Sequence, residues 1–136
     1  MRIPMTDAHP PRILIVDDDS SVAKVLESLV RRAGYDVRVA GHANDALALL
    51  ADGIDAMVVD LRMPDMRGDA FYYLASARHP HLADRTILMT GDLTEQAEYS
   101  VTVTGCPLLR KPFPGTALYA LLARMAPITS SNSEAS

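Results

Sequence analysis

Short apolar runs alternate with amphipathic stretches five times along the chain, and this alternation constrains the fold more than any other feature of the sequence. Apolar runs of this length, bounded by turn residues, are typical of strands that are buried on both faces of a sheet. Strand–helix alternation predicts a parallel sheet with helices on both of its faces. We predict strands at 12–16, 35–40, 54–59, 85–89 and 106–109, and helices at 20–33, 44–51, 69–78, 93–103 and 115–125.

The connections and the chain length restrict the topology further. Crossovers between parallel strands are right-handed, which leaves few arrangements. For five βα units the usual strand order is 2-1-3-4-5. A chain of 136 residues has the length of one domain. We therefore predict one α/β domain, a doubly wound parallel sheet, over 12–126, with a flexible leader over 1–11 and a disordered tail over 127–136.

Apolar stripes identify the helix faces that should pack against the sheet. The fourth helix is weaker, because 101–104 consists of Val and Thr, which are poor helix formers, and we expect it to be short or frayed. The predicted inward residues are Val22, Val25, Leu26, Leu29, Val30 and Ala33 in the first helix, Ala46, Leu47 and Leu50 in the second, Ala70, Phe71, Leu74 and Ala77 in the third, and Leu118, Leu121, Leu122 and Met125 in the fifth.

Charge and cysteine content exclude several classes of protein. The formal net charge is −4, whereas a free-standing nucleic-acid binder is usually basic, so we expect no direct contact with nucleic acid. The single cysteine, Cys106, cannot form an internal disulfide and suits a reducing compartment. No apolar stretch approaches the length of a membrane span, and the N-terminus lacks the layout of a signal peptide. We expect a cytoplasmic protein with no membrane partner.

Polar residues follow four of the five predicted strands at their carboxyl ends. Asp17 and Asp18 follow the first strand, Asp60 the third, Thr90 the fourth and Lys111 the fifth. Ligands of open parallel sheets bind outside the carboxyl ends of the strands. In the order 2-1-3-4-5 these four strands are neighbours, so the five side chains should converge on one small pocket.

The residue types in this pocket point to phosphoryl transfer. Three neighbouring carboxylates repel one another, and a divalent cation removes that repulsion. Mg2+ takes oxygen ligands and often combines one or two carboxylates with phosphoryl oxygens and water. Lys111 supplies a mobile cation and Thr90 a hydroxyl donor. A carboxylate can itself be the nucleophile, which gives an aspartyl phosphate.

Taken singly, these residues also have plainer interpretations. Asp60 and Thr90 could be turn residues, and Lys111 could simply mark the exit of a strand. The carboxylates at 17–19 could cap the first helix, and we assign Asp19 to that role. The chemical interpretation rests on the whole set and on the position of each residue at a strand end.

The four strand ends resemble the receiver domain of two-component response regulators. The matching segments are ILIVDDD at 13–19, VVDLRMPDMRG at 58–68, ILMTGD at 87–92 and LRKPF at 109–113, in the order of the family. The resemblance covers about 12–126 and implies a flavodoxin-like (βα)5 fold. The stretch 104–112 also resembles receivers that are fused to hybrid histidine kinases.

The resemblance implies a role for each residue of the pocket. Asp60 would accept the phosphoryl group, and Lys111 and Thr90 would contact that group. Asp18 would bind Mg2+ directly and Asp17 mainly through water. Asp60 and the backbone carbonyl of Arg62 would complete the protein ligands of the metal.

One position departs from the family. The residue three before Lys111 is usually a switch aromatic, and here it is Leu108. Leucine has no polar tip that could change partner. We therefore expect Thr90 to influence the outer face of the domain through a backbone shift, without an aromatic rotamer change.

The implied function is that of a signalling switch. The partner would be a histidine kinase or a phosphotransfer domain, and the output face would comprise the fourth helix, fifth strand and fifth helix. That face could also form a homodimer. No enzymatic activity is expected beyond the domain's own phosphotransfer and autodephosphorylation, and a bacterial source is expected.

Three alternatives involve other classes of protein. A phosphate-independent pseudo-receiver usually lacks one of the key residues, and this chain keeps all five. A haloacid-dehalogenase-type phosphatase needs a second Asp two residues after the first, where this chain has Arg62. A flavin or nucleotide carrier needs a Gly-rich phosphate loop after the first strand, and none follows it.

Overall fold

The structure of the protein, a computed structural model, describes residues 10–91 and 95–128, with the side chains of 95–98 excluded. The predicted leader and tail lie mostly outside these residues. Among the described residues, no helix is long and apolar enough to cross a membrane. The elements are β1 (Arg12–Val16), α1 (Ser20–Arg32), β2 (Asp36–Ala40), α2 (Ala43–Leu49), β3 (Ala56–Asp60), α3 (Gly68–Arg78), β4 (Thr86–Thr90), α4 (Glu95–Thr104), β5 (Leu108–Arg110) and α5 (Gly115–Met125).

The sheet has the predicted topology. Its five strands are parallel and lie in the order β2-β1-β3-β4-β5. Val16 at the end of β1 is in register with Val59, Asp60 with Met89, and Thr90 with Arg110. The carboxyl ends of the four adjacent strands therefore meet at one edge, as the flavodoxin-like arrangement requires.

The sheet separates two apolar cores. Side chains alternate between the faces of a strand, so successive residues of β1 and β3 contribute to different cores. One core joins the sheet to α2 and α3 through residues such as Leu14, Val59 and Phe71. The other joins it to α1 and α5 through residues such as Ile15 and Leu118. This packing on both faces explains the near-continuous apolar runs of β1, β3 and β4.

The predicted inward face of α3 is wrong apart from Phe71. Ala70, Leu74 and Ala77 are exposed, whereas Phe71, Tyr72 and Ala75 are buried. Phe71 and Ala75 lie four residues apart on one stripe. Tyr72 packs beside them because its hydroxyl donates to the carbonyl of Ala83 at 2.7 Å, which satisfies the polar tip of a buried ring. In α1, the predicted inward position of Val25 is likewise wrong, because its side chain is exposed.

Several element boundaries also differ from prediction. β3 begins at Ala56 and includes Asp60, and β5 is shifted toward the C-terminus because it pairs with the end of β4. Two 3-10 turns, Leu50–Asp52 and Pro80–Asp84, were not predicted. The predicted start of α4 lies outside the described residues, and the helix continues to Thr104. α1 is capped by Asp19, whose carboxylate accepts the N–H groups of Ser21 and Val22.

Candidate functional site

Backbone hydrogen bonds extend the sheet beyond the strand ends and fix the residues that follow them. The N–H of Asp17 donates to the carbonyl of Ala40 at 3.1 Å, and the N–H of Lys111 donates to that of Thr90 at 2.7 Å. The N–H of Leu61, directly after Asp60, donates to the carbonyl of Met89 at 2.8 Å. These bonds anchor the main chain of the candidate site residues to the edge of the sheet.

Asp17, Asp18 and Asp60 form an acidic cluster. One carboxylate oxygen from each residue lies within 4.8 Å of the others. Asp17 and Asp60 are buried, with 1% and 6% of their surface exposed, whereas Asp18 faces solvent. Carboxylate oxygens in this number and arrangement are the donors that a hard divalent cation prefers, so the cluster fits Mg2+.

Lys111 bridges the two buried carboxylates. Its Nζ donates to Asp17 Oδ2 and to Asp60 Oδ2, both at 3.0 Å. Burial alone would lower the pKa of Lys111, but the hydrogen bonds from its ammonium to these carboxylates outweigh that effect and raise the pKa. A charged lysine therefore lies directly beside the Asp60 carboxylate. The peptide bond between Lys111 and Pro112, which follows, is cis.

Asp60 is held in place by two further effects. The N–H of Arg62 donates to Asp60 Oδ1 at 3.0 Å, while Lys111 occupies Oδ2. Burial raises the pKa of Asp60 and is the largest influence on it, and the charge of Asp17 acts in the same direction. The bonds from Arg62 and Lys111 oppose that rise without cancelling it. The site thus contains a positioned carboxylate whose charge is incompletely compensated.

The structure links five of the six sequence-predicted residues by direct hydrogen bonds. Lys111 bonds to the carboxylates of Asp17 and Asp60 and to the carbonyl of Thr90, and Asp60 bonds to the backbone of Arg62. Asp18 joins them within the acidic cluster. Thr90 is buried at the last position of β4, beside the strand that carries Asp60. Its carbonyl accepts the N–H of Lys111, so Thr90 and Lys111 are linked through the backbone.

Gly68 lies against the backbone of Asp60, a contact that the sequence interpretation missed. A Cβ at position 68 would lie 2.3 Å from the carbonyl oxygen of Asp60 and 2.9 Å from Cα of Leu61. The N–H of Gly68 also donates to the carbonyl of Leu61 at 3.0 Å. Only glycine allows this approach, and the start of α3 is therefore in contact with the main chain of Asp60.

Asp65 also has a structural role that was not predicted. Its carboxylate accepts the N–H of Ala43 at 3.2 Å and that of Asn44 at 3.3 Å. These bonds lower the pKa of Asp65, that from Ala43 most strongly. His42, at the N-cap of α2, makes no side-chain capping bond. Asp65, from the loop between β3 and α3, caps the N-terminus of α2 in its place.

A third unpredicted feature connects α3 to α4. We call it the α3–α4 clamp, and it consists of Arg67, Asp69 and Ser100. The Arg67 guanidinium contacts both carboxylate oxygens of Asp69 at 3.2 Å and the Ser100 hydroxyl at 3.1 Å. The same hydroxyl donates to Asp69 Oδ2 at 2.7 Å. Burial alone would raise the pKa of Asp69, but the bonds from Arg67 and Ser100 hold it below its ordinary value.

The fold and the site define a class of protein. A five-stranded parallel sheet carries, at its carboxyl edge, an acidic cluster bridged by a lysine. The family model described as response regulator receiver domain matches residues 13–123. The chain therefore belongs to the response regulator receiver domain family. Receiver domains are signalling domains, and neither the pseudo-receiver nor the haloacid-dehalogenase interpretation is favoured.

Individual relatives agree with this assignment. The chain is 36% identical over 114 residues to the DNA-binding transcriptional regulator NtrC of Proteus hauseri, a match that covers 82% of this chain and 24% of that protein. Among solved structures, it is similar to a CheY-like receiver domain protein from Methanospirillum hungatei, with a TM-score of 0.77, 25% identity and coverage of 85% and 92% of the two chains. The receiver domain of an HD domain-containing protein from Pseudomonas fluorescens gives a TM-score of 0.78, 26% identity and coverage of 86% and 94%.

The chain spans about a quarter of the length of the NtrC relative. The similarity therefore concerns the receiver domain. The DNA binding named for NtrC is a property of that whole protein.

Proposed function

We propose that this receiver domain accepts a phosphoryl group on Asp60 in a Mg2+-dependent reaction. The observation that carries the proposal is the position of Asp60, buried within an acidic cluster and bonded to Lys111 at 3.0 Å. A positioned carboxylate with a neighbouring cation can attack a phosphoryl donor. The incompletely compensated charge of Asp60 also favours reaction with an electrophile.

In the transfer, an oxygen of Asp60 forms a bond to phosphorus and the bond between phosphorus and the donor's histidine nitrogen breaks. The electron pair of that bond leaves with the imidazole. Lys111, freed from one carboxylate oxygen, pairs with the phosphoryl oxygens. We propose that the hydroxyl of Thr90 donates a hydrogen bond to the phosphoryl group. When bound, Mg2+ neutralises charge on the phosphoryl oxygens.

We assign the Mg2+ ligands to Asp17, Asp18, Asp60 and the backbone carbonyl of Arg62. The contacts of Asp17 support different roles for Asp17 and Asp18 in metal binding. Both of its oxygens already accept bonds, Oδ1 from the N–H of Asp19 and Oδ2 from Lys111. Asp18 faces solvent, which leaves it more available as a direct ligand, while Asp17 acts mainly through water.

The partner that we propose is a histidine kinase or a phosphotransfer domain. The output face consists of α4, β5 and α5, and exposed Tyr99 and Val103 on α4 provide it with apolar surface. A homodimer through this face is one form of that output. We propose a cytoplasmic location in a bacterial cell, no catalytic turnover beyond the domain's own phosphotransfer and autodephosphorylation, and no direct contact of this domain with nucleic acid.

Acetyl phosphate provides a test without a cognate kinase. The wild-type protein, incubated with acetyl phosphate and Mg2+, should gain the mass of one phosphoryl group, and chelation of Mg2+ should prevent the gain. Asp60→Asn should show none. Asp45→Asn, which changes an exposed carboxylate on α2, is the matched control and should behave as wild type. An equal gain in Asp60→Asn would refute the assignment of the acceptor.

A further inference from the structure

We propose that the α3–α4 clamp of Arg67, Asp69 and Ser100 positions α4 according to the state of Asp60. The inference rests on the proposed function, because it concerns how phosphorylation of Asp60 reaches the output face. It assigns that connection to residues at the start of α3, in addition to the route through Thr90.

The contacts form a continuous path from Asp60 to α4. Gly68 packs against the main chain of Asp60 so closely that no side chain fits between them. Arg67 and Asp69, on either side of Gly68, both contact the hydroxyl of Ser100. A shift of the Asp60 main chain would therefore move Gly68, and with it Arg67 and Asp69, which contact the Ser100 hydroxyl.

Ser100 is a suitable receiving point for such a shift. It has no exposed surface, so water cannot replace a lost partner of its hydroxyl. Its hydroxyl bonds to the charged groups of Arg67 and Asp69, and such bonds are short and directional, which makes the contact sensitive to small displacements. Its carbonyl also accepts the hydroxyl of Thr104 at 2.6 Å, which ties the last turn of α4 to the same residue.

The position of Arg67 also indicates a role between helices. Arg67 occupies the N-cap of α3, where Ser, Thr, Asp and Asn are preferred, and it makes no capping bond there. Its guanidinium is instead directed to Asp69 and Ser100. A second contact, from the Tyr73 hydroxyl to the carbonyl of Val103 at 3.2 Å, joins the same two helices further along.

In this structure Asp60 is unphosphorylated, its carboxylate is paired with Lys111, and the clamp is formed. A phosphoryl group adds charge at Asp60 and draws Lys111 away from that carboxylate. The second half of α4 contains Val and Thr residues of low helix propensity, so a change in its contacts with α3 can shift the equilibrium between its conformations. The clamp thus couples the charge at Asp60 to the order of α4.

Amide hydrogen exchange with and without beryllofluoride and Mg2+ tests this coupling in the full chain. Beryllofluoride mimics the phosphoryl group. In wild type the exchange of 95–104 should change when the mimic binds. In Ser100→Ala, and separately in Arg67→Gln, that change should fall about threefold or more, while acetyl phosphate still modifies Asp60. Arg67 is half-exposed, so its variant remains informative if Ser100→Ala folds poorly.

The matched control is Ser76→Ala. Among the described residues, the Ser76 hydroxyl bonds only to carbonyls of its own helix, at Tyr72 and Tyr73. This variant therefore loses a hydroxyl outside the clamp and should respond as wild type. The double variant Arg67→Gln with Ser100→Ala should show the same exchange change on binding the mimic as the less responsive of the two single variants. A second substitution should cause no further loss, since the residues act as one unit. A purely structural role would lower stability without reducing the difference that the mimic produces.

The two proposals fail in different ways. If wild type is not phosphorylated and its exchange is unaffected by beryllofluoride, the proposed function is refuted. If wild type is phosphorylated but 95–104 does not respond, the role of the clamp is refuted alone. The same conclusion follows if Ser100→Ala and Arg67→Gln respond as fully as wild type.

Discussion

Replacement of Asp60 by Asn should stabilise the metal-free protein, although it removes the ion pair with Lys111. Asp60 is buried between two other carboxylates, and burial is the largest influence on its pKa. Asn keeps an oxygen for the N–H of Arg62 and carries no charge. Lys111 retains Asp17 as its partner at 3.0 Å. A site arranged for function is expected to be costly in stability.

The distances show why the lost ion pair does not decide the result. Lys111 Nζ lies 3.0 Å from Asp60 Oδ2, an attraction of about 5 kcal/mol at an effective dielectric constant of about 20. Oxygens of Asp17 and Asp18 lie within 4.8 Å of Asp60, and each repulsion is about 3 kcal/mol on the same scale, less for exposed Asp18. These effects nearly cancel, so the cost of burying the carboxylate remains. We expect the free energy of unfolding of Asp60→Asn to exceed that of wild type by about 1–2 kcal/mol.

The gain should depend on pH. The pKa of Asp60 is raised in the folded protein, so between the unfolded and folded pKa values the folded state holds more protons. The contribution of Asp60 to the stability of wild type therefore falls as pH rises through that interval and is level above it. Asp60→Asn lacks this fall. The difference in free energy of unfolding between the variant and wild type should therefore grow with pH over the same interval and then stay constant.

Urea unfolding in EDTA, compared with unfolding in Mg2+, measures both effects. At a concentration 100 times the dissociation constant of wild type, Mg2+ should stabilise wild type by about 2.7 kcal/mol, and it should stabilise the variant, which lacks one assigned carboxylate ligand, by less. The difference between the two proteins should therefore narrow or reverse when Mg2+ is added. Asp45→Asn is the control and should differ little from wild type in either buffer. A loss of more than about 1 kcal/mol by Asp60→Asn in EDTA would refute the reasoning.

Four further substitutions test three other parts of the structure. Gly68→Ala should slow phosphorylation by acetyl phosphate and lower the urea midpoint, because its Cβ would lie 2.3 Å from the Asp60 carbonyl oxygen. Asp18→Asn should weaken Mg2+ binding in a calorimetric titration more than Asp17→Asn does, since both oxygens of Asp17 already have partners. Asp36→Asn should lower stability at neutral pH by up to about 1 kcal/mol. The bond from Arg12 is the main reason that the pKa of Asp36 is lowered, so its contribution is lost as pH falls through the folded pKa.

Each of these substitutions has a result that would contradict its argument. Wild-type kinetics and stability in Gly68→Ala would mean that the contact with Asp60 yields without cost. Equal losses of Mg2+ affinity in Asp17→Asn and Asp18→Asn would remove the distinction between the two carboxylates. A difference between Asp36→Asn and wild type that is independent of pH would show that the ion pair with Arg12 does not govern acid stability.

The sheet and its carboxyl edge are predictable because their signals are local and periodic. β1, β3 and β4 are buried on both faces, so each appears as a short apolar run, and the polar residues at or directly after the ends of these runs mark the carboxyl edge. The sequence therefore predicts Asp17, Asp60 and Lys111 at that edge, and the structure brings them into contact. The chemical roles of these residues remain proposals.

Features that depend on tertiary contacts were not predictable. The predicted face of α3 is wrong because Tyr72 is buried through a hydroxyl bond to Ala83, which apolar spacing does not reveal. The α3–α4 clamp joins residues that are distant in the chain, with Ser100 separated from Arg67 by 33 positions. One local signal was available, because Arg67 directly before a helix is an unfavourable N-cap and indicates a contact elsewhere.

The central claim, that Asp60 accepts the phosphoryl group, is tested most directly by mapping the modified residue. Borohydride reduces an aspartyl phosphate to homoserine, which marks the position after treatment with acetyl phosphate and Mg2+. The tryptic peptide 39–62 contains Asp45, Asp52, Asp55 and Asp60, so fragmentation of this one peptide distinguishes the acceptor from three internal controls. We expect homoserine at position 60 and unchanged Asp at the other three. Homoserine at any of those three, or in another peptide while Asp60 stays intact, would contradict the proposed mechanism.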